Sequence, residues 1–495
     1  MSGFTVGKSD LQLGLLAAED EVGTGDRGGA RSVAALEGSA FGAAAAARVS
    51  QERQSQLLES IVFFTLGLSG WWMGGAITAE TPFFVLYLPE KQAIGSTVQL
   101  SMQIGNLFPF LYKGLLTAEQ QSRHLSTAVL LSQAIATATG VLCALVWKDT
   151  VSMFGSEYSV GLIACAVVGG GMGILSNVTF WALAARYPGT HCIKATSLGM
   201  TVGGLVSAGL AQLQNAGREA HFGVAVFMIF CAAVQAAFLV ALLSVLRRQT
   251  GPSPEPEPES ESESPAAAAG GAGESGPQAA GLSKTQENVL VGALFIIYAL
   301  TYTLPGVQPF MVKGYADSCS LDPAANSTAQ ASACALNPEL TSDPAAACVG
   351  GPGCVLHNVD PSDDDLIRYM YTFQQLGDVA GRACAWVPWT PGRGALLAMG
   401  GVVVAISGVL VVAAADHEQV PALLPGGWSY VFPLLYFLYF LVRGYLVTAL
   451  YVQAKTHSAS QAKAERLAST MGFVAQVGSF GATMLLFLVT NVFGR

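Results

Sequence analysis

The chain has 495 residues, of which 52% are hydrophobic and only 12% are charged, and its mean hydropathy is +0.47. Soluble domains carry about a quarter charged residues, so this composition excludes an ordinary soluble protein and indicates one embedded in a bilayer. The formal net charge of −9 comes largely from one Glu-rich segment. We therefore expect no nucleic acid partner.

Residues 1–58 are rich in Gly, Ala and Ser, with scattered charges of both signs. They lack the basic start and the apolar run of a secretory signal peptide. We interpret this segment as a mostly disordered cytosolic extension.

Apolar stretches follow, each close to the roughly 20 residues that cross about 30 Å of hydrocarbon. The sequence thus predicts an all-α polytopic membrane protein with about eleven transmembrane helices. The eighth stretch contains Gln374, Gln375, Asp378 and Arg382, so it must line a cavity or pack inside the bundle. The predicted spans are 60–79, 94–112, 125–147, 160–184, 196–214, 221–246, 288–311, 367–385, 395–415, 428–451 and 467–491.

The Lys and Arg residues of the short loops predict the orientation, because cytosolic loops are enriched in them. With a cytosolic N-terminus, ten of them lie in inner loops and three, Lys91, Lys148 and Arg218, in outer loops. An odd number of spans then places the C-terminus outside, and we expect a multi-pass protein of the plasma membrane. The inner ten are Lys113, Arg123, Arg186, Lys194, Arg247, Arg248, Arg393, Lys455, Lys463 and Arg466.

Two long loops interrupt the succession of predicted spans. Residues 249–286 alternate Pro and Glu and cannot bury a core. We therefore predict a flexible cytosolic linker between a six-helix bundle (59–248) and a five-helix bundle (287–495).

The second long loop, residues 312–366, contains the glycosylation acceptor Asn326 and the disulfide candidates Cys319, Cys334, Cys348 and Cys354. Both features suit an extracellular face, and three pairings of the cysteines stay open. The alternative is an Ala-rich insert with free thiols. The run Asp363 to Asp365 suits a helix start better than a cation site.

No pattern of a catalytic or metal site is present. The remaining cysteines lack metal-ligand spacing and suit small packing residues, and HExxH, GxSxG and P-loop sequences are absent. We therefore expect neither an enzyme nor a cofactor. The remaining cysteines are Cys143, Cys165, Cys192, Cys231 and Cys384.

Polar residues at membrane depth are costly in hydrocarbon and are the candidate substrate-binding residues. For each Asn and Gln, a structural hydrogen bond between helices is an equally good reading. Arg443 is either a ligand contact or the partner of Asp378 in a neutral buried pair. The polar candidates are Glu80, Gln103, Asn106, Asn177, Thr179, Gln308, Arg443 and Gln476.

Aromatic residues near helix ends add a ninth candidate. Trp71, with Trp72, Phe180 and Trp181, could stack on a flat ring, although such residues often anchor a helix at the membrane interface. Glu80 ends the first span beside Pro82, and we expect it at the mouth of a cavity, where partial desolvation raises its pKa. The alternative for Glu80 is a solvated loop residue.

Several strings resemble those of the eukaryotic riboflavin transporters, solute carrier family 52. They occur in the family's order: Gly70-Trp71 through Glu80-Thr81-Pro82, Leu88-Pro89-Glu90, Gly105-Asn106, Ser176-Asn177-Val178-Thr179-Phe180, Ala299-Leu300-Thr301, Leu304-Pro305-Gly306-Val307-Gln308 and Gln476-Val477-Gly478-Ser479. The chain departs from the family at Gly75, Thr78, Lys91-Gln92 and Trp181-Ala182.

The resemblance implies uptake of riboflavin by alternating access in a 6+5 two-bundle arrangement, similar to the major facilitator and nucleoside transporters. Trp71, Asn106, Asn177, Thr179, Gln308 and Gln476 would then supply an aromatic face and hydrogen-bonding groups. A carrier for nucleosides or another small heterocycle is the alternative, and a membrane receptor that uses its Cys-rich loop is a third reading.

Overall fold

The structure, a computed structural model, describes residues 30–90, 93–153, 156–214, 221–249, 282–317, 363–387, 391–415 and 430–488. Contacts divide the chain into two compact units, residues 1–58 and residues 59–495. In the first unit the described residues are helical from Ala30 onward, so the expected disordered extension contains a helix there. The bundles described below belong to the second unit.

The first part of the chain forms ten helices and one hairpin in the described residues. The two short antiparallel strands are an addition to the predicted all-α fold. The elements are α1 (Ala30–Gly70), α2 (Trp72–Ala79), α3 (Thr81–Tyr87), α4 (Ala93–Ile104), α5 (Leu107–Leu115), α6 (Ala118–Arg123), α7 (Leu125–Val146), β1 (Val151–Met153), β2 (Ser156–Tyr158), α8 (Val160–Ala185), α9 (His191–Gln214) and α10 (Val224–Gln249).

The second part contributes five described helices. The predicted helix start at the acidic run is confirmed, because one of them begins at Asp363. They are α11 (Lys284–Asp317), α12 (Asp363–Cys384), α13 (Arg393–Ala415), α14 (Val431–Thr456) and α15 (Gln461–Leu488).

Two predicted spans are broken rather than continuous. The first bends by 41° between α1 and α2 at Trp71. The second is interrupted at Gly105 and Asn106, between α4 and α5. Pro109 then lies in the first turn of α5, where the missing backbone N–H costs no helical hydrogen bond.

Within the described residues, six helices are long and apolar enough to cross a membrane, and the bent pair α1/α2 would make a seventh. The six are α7, α8, α14 and the apolar parts of α10, α11 and α13. The other predicted spans coincide with α4/α5, α9, α12 and α15, which are broken or more polar. The protein is a helical, multi-pass membrane protein, while the count of eleven and the 6+5 division remain predictions.

We call the described helices up to α10 the first bundle and those from α11 onward the second bundle. In the first bundle, up to α10, α7 packs on α8 and α10, and α2 packs on α8 and α9. In the second bundle, α12 packs on α14, and α11 packs on α15 and α13. Helices α4, α8 and α9 of the first bundle contact α12, α14 and α15 of the second. The largest apolar core cluster contains side chains from both bundles.

Candidate functional site

A group of amide side chains lies where α4 of the first bundle meets α15 of the second. Gln103 and Asn106 are buried, and Asn106 Nδ2 donates to Gln103 Oε1 at 2.8 Å. Ser479 Oγ donates to the same oxygen at 3.1 Å across the interface. Gln476 lies three residues before Ser479 on α15, so the two side chains share a helix face. We call Gln103, Asn106, Gln476 and Ser479 the amide cluster.

The amide cluster holds unused hydrogen-bonding capacity. Gln103 Nε2, Asn106 Oδ1 and both polar atoms of Gln476 are buried without a partner among the described residues. A buried amide without a hydrogen bond costs about 1–3 kcal/mol. Two unpaired donor groups and two unpaired acceptors between two bundles are therefore the features of a site that a polar ligand would complete.

A charge cluster lies elsewhere in the interface, where α12 faces α9 and α14. The predicted contact between Arg443 and Asp378 is present, with Arg443 Nη1 2.7 Å from Asp378 Oδ2. Arg382, one helical turn after Asp378, binds the same carboxylate at 3.2 Å. Its Nη1 also donates to the carbonyl and hydroxyl oxygens of Ser197, and the Ser197 hydroxyl shares a hydrogen bond with Thr448.

The prediction that Arg443 and Asp378 form a neutral pair is therefore wrong, because Arg382 adds a second positive charge. One carboxylate serves two guanidinium groups, so the charge cluster carries a net charge of about +1 in the described residues. All three side chains are at least 92% buried, and Arg443 Nε has no hydrogen-bond partner there. Gly444 allows this close approach, because a Cβ at that position would collide with Asp378.

Glu80 is fully buried between α2 and α3, in contrast to the expected position at a cavity mouth. Gln214, at the end of α9, donates to Glu80 Oε2 at 3.3 Å and to the carbonyl oxygen of Phe222. Glu80 Oε1 has no partner in the described part of the chain, and no described cation pairs with Glu80. The carboxyl group is thus enclosed by neutral neighbours within the first bundle.

The four candidate aromatic residues have separate environments. Trp71 is half-buried at the α1/α2 bend, and its ring packs against Gly74 and Gly173. Trp72 is buried in the first bundle and donates to the carbonyl oxygen of Cys231 at 3.0 Å. Phe180 is also buried. The expectation of interface anchors therefore does not hold for Trp72 and Phe180.

Trp181 of α8 makes a contact across the interface between the bundles. Its ring stacks on Tyr451 of α14, with 4.0 Å between the centroids and 5° between the planes. Trp181 Nε1 and the Tyr451 hydroxyl are both buried without partners among the described residues. This stack joins α8 to α14.

The other sequence candidates contribute less to the observed geometry. Thr179 is buried, but its hydroxyl donates to the Leu175 carbonyl of its own helix. Asn177 is half-buried on α8, and its backbone approaches Gly472 of α15 so closely that a Cβ there would collide with it. Gln308 belongs to α11, but its side chain lies outside the described residues.

A further set of contacts closes one end of the interface, which we call the basic end. Arg186 of the α8 C-cap binds Glu465 of α15 through two hydrogen bonds of 2.7 and 2.9 Å, and it also donates to Ser122. Lys455 of α14 donates to the carbonyl oxygens of Ala185 and Tyr187. These contacts tie α8 to α14 and α15, and Lys455 satisfies carbonyl groups near the end of α8.

Electrostatics at the basic end reflect burial as well as pairing. Burial lowers the pKa of Lys113 to about 8, while the nearby Glu465 carboxylate acts in the opposite direction. Lys113 Nζ donates to Gln121 Oε1 at 3.0 Å. The basic end thus loses a positive charge more readily than its sequence suggests.

Some important polar residues were not selected from the sequence. In the sequence Arg382 indicates only that its span is polar, although its spacing of four residues from Asp378 is that of a helical ion pair. Gln133 and Gln235 bind each other, and Gln235 also donates to the Ser69 carbonyl inside the first bundle. Their isolated positions in α7 and α10 gave no sign of this contact.

The predicted modification sites lie outside the described residues. This applies to Asn326 and to Cys319, Cys334, Cys348 and Cys354. Of the helical cysteines, four are buried as expected and Cys384 is exposed.

Apolar helices in two bundles, with polar groups buried between them, define the class of multi-pass membrane transporters. The sequence model of the solute carrier family 52 riboflavin transporters matches residues 55–340, more than half of the chain. The chain belongs to this family.

Solved structures of transporters are similar at low sequence identity. The human organic anion transporter MFSD10 (TETRAN) matches with a TM-score of 0.45 and 12% identity, over 87% of this chain and 94% of that chain. The proton:xylose symporter XylE of the major facilitator superfamily matches with a TM-score of 0.46 and 13% identity, over 88% and 90%.

Proposed function

We propose that this protein takes up riboflavin across the plasma membrane by alternating access, with the amide cluster as the central part of the binding site. The observation that carries the proposal is the set of four unpaired amide atoms buried between the two bundles. Family membership supplies the substrate class, and the amide cluster supplies a place in the molecule for it.

The chemistry of the amide cluster suits the polar edge of riboflavin. That edge alternates carbonyl acceptors with one ring N–H donor, and Gln and Asn side chains offer both a donor and an acceptor. Trp71, half-buried at the α1/α2 bend, is the candidate stacking surface for the flat ring. Glu80 would act by holding a proton, because a neutral carboxyl group is less costly to bury than a carboxylate.

The contacts of the interface suggest which conformation the structure represents. The described contacts between bundles run from the amide cluster to the basic end, through the charge cluster, the Trp181–Tyr451 stack and Arg186–Glu465. The positive-inside bias assigns the basic end to the cytosol. The conformation is then closed toward the cytosol, as expected before release of the substrate.

The test is accumulation of radiolabelled riboflavin in cells that express the chain, with a panel of nucleosides in parallel. We expect riboflavin uptake, and we expect Gln476→Leu to lower it on the order of tenfold, which corresponds to about 1.4 kcal/mol of lost hydrogen bonding. Thr470→Val is the matched control, because Thr470 lies exposed on the same helix and its hydroxyl is already satisfied within α15.

Two results would redirect the proposal. Uptake of nucleosides without riboflavin would favour the alternative carrier. Riboflavin uptake that is unchanged in Gln476→Leu at equal surface expression would move the site away from the amide cluster.

A second candidate solute is suggested by the net positive charge cluster. Two buried guanidinium groups with one carboxylate favour an anionic group nearby, and Arg443 Nε is free to donate within the described part. Riboflavin 5′-phosphate, tested as a competitor beside riboflavin, distinguishes the two. Stronger competition by the phosphate ester, lost in Arg443→Gln, would favour an anionic solute.

A further inference from the structure

Three metal-ligating side chains meet between α1 and α9 at the basic end, away from the amide and charge clusters. His191 Nε2 lies 2.9 Å from Glu59 Oε2, and Cys192 Sγ lies 4.0 Å from the same oxygen. The three ligand atoms all lie within 4.8 Å of one another. We propose that Glu59, His191 and Cys192 bind a divalent transition-metal ion of the zinc class.

The donor set and the distances fit such an ion. Zinc binds thiolate, imidazole and carboxylate ligands, and a tetrahedral ion with bonds of about 2.0–2.3 Å separates its ligand atoms by about 3.5 Å. The observed distances of 2.9 and 4.0 Å bracket that separation. Three protein ligands leave the fourth position to water.

The ligands lie on a rigid frame. Gly67 of α1 and Gly199 of α9 bring the two backbones together, because a Cβ on either glycine would overlap a carbonyl oxygen of the other helix. Ligands on packed helices are held more precisely than ligands on loops. The side chains of Glu59 and His191 are 25% and 18% exposed, so an ion can reach them from solvent.

Metal binding at this site must displace a proton. Burial, with a smaller contribution from the Glu59 carboxylate, raises the pKa of Cys192 to about 12, while Lys455 acts in the opposite direction. The ion binds the thiolate, and the thiol proton passes to water. His191 binds the ion through a ring nitrogen, and this bond replaces its present contact with Glu59. Affinity therefore weakens as the pH falls.

The experiment uses the purified full-length chain and Cd²⁺, whose thiolate complexes absorb in the ultraviolet. We expect the charge-transfer band in the wild type and in Cys231→Ser, and a loss of one thiolate's contribution in Cys192→Ser. Cys231 is a matched control, because it is equally buried on α10 and lies outside the three-ligand group.

A second measurement covers the case in which Cys192→Ser fails to fold. Glu59→Gln keeps the thiol and the helix, so Zn²⁺ should raise the melting temperature of the wild type but not of this variant. Equal bands in the wild type and Cys192→Ser, or equal stabilisation of the wild type and Glu59→Gln, would overturn the site. Both measurements omit riboflavin, so they stand apart from the proposed transport function.

Discussion

The amide cluster and the charge cluster both lie between the two bundles, but they use their polar groups differently. In the charge cluster, the Asp378 carboxylate is shared by Arg382 and Arg443, and Arg382 also binds Ser197 of the other bundle. In the amide cluster, Gln476 has no partner among the described residues. Paired buried groups stabilise a conformation, whereas unpaired ones carry a cost that a ligand can remove.

We expect the largest loss of stability when Asp378 is substituted, and a smaller loss when its partner Arg443 is substituted. Asp378→Asn leaves two buried guanidinium groups without a carboxylate and should cost on the order of 3–5 kcal/mol of stability. Arg443→Gln leaves the neutral Arg382–Asp378 pair and should cost clearly less. Thermal unfolding of the purified variants measures the difference.

A simple pair would behave otherwise. If Arg443 and Asp378 acted alone, the two variants would be equally unstable and exchanging the two charges would restore stability. With Arg382 present, the exchange places an arginine at position 378 beside Arg382 and should restore little.

The next largest effect on stability is expected from Gln133, whose amide is hydrogen-bonded, in comparison with Gln476, whose amide is not. Gln133→Leu removes the hydrogen bonds that Gln133 makes with Gln235 and Ser176 and should cost about 1–3 kcal/mol, whereas Gln476→Leu removes unpaired groups and should leave stability nearly unchanged. For riboflavin uptake we expect the reverse order, so that Gln476→Leu lowers uptake more than Gln133→Leu does. A Gln476→Leu protein that unfolds as readily as Gln133→Leu would place a structural partner at Gln476.

Glu80 tests whether an unpaired carboxyl oxygen marks the transport path. Glu80→Gln keeps the size and the contact with Gln214 but cannot exchange a proton, so riboflavin uptake should fall severalfold and lose part of its pH dependence. Surface expression should persist, because the substitution creates no buried charge. Normal uptake between about pH 5 and 8 in this variant would make Glu80 a structural residue.

The smallest effect is expected at the basic end. Arg186 and Glu465 are partly exposed, with side-chain exposures of 28% and 12%, so their pairing contributes about 1 kcal/mol or less. Glu465→Gln should shift the balance toward the cytosol-open form by up to about fivefold. A cysteine introduced at Ser122 would report the shift through its rate of modification, with Glu119→Gln, on neighbouring α6, as the matched control.

The sequence predicted those features that depend on local pattern. Apolar length gave the positions of α7 and α8, and the acidic run gave the start of α12 at Asp363. It also selected Gln103, Asn106 and Gln476 because polar groups are rare at membrane depth.

It could not predict which helices bring these groups together. The contact of Ser479 with Gln103 joins residues 376 positions apart. Glu80 was expected near solvent because its own neighbours suggest a helix end, whereas Gln214 of α9 covers it. Such contacts depend on bundle packing, which no local pattern contains.

The stack of Trp181 on Tyr451 affects how long the closed conformation of the transporter lasts. If the bundles separate at the basic end in each cycle, this ring contact must break each time. An aromatic pair contributes about 0.5–1.5 kcal/mol beyond its buried area. Since about 1.4 kcal/mol changes a rate tenfold, two rings 4.0 Å apart can lengthen the lifetime of the closed conformation severalfold without touching the solute.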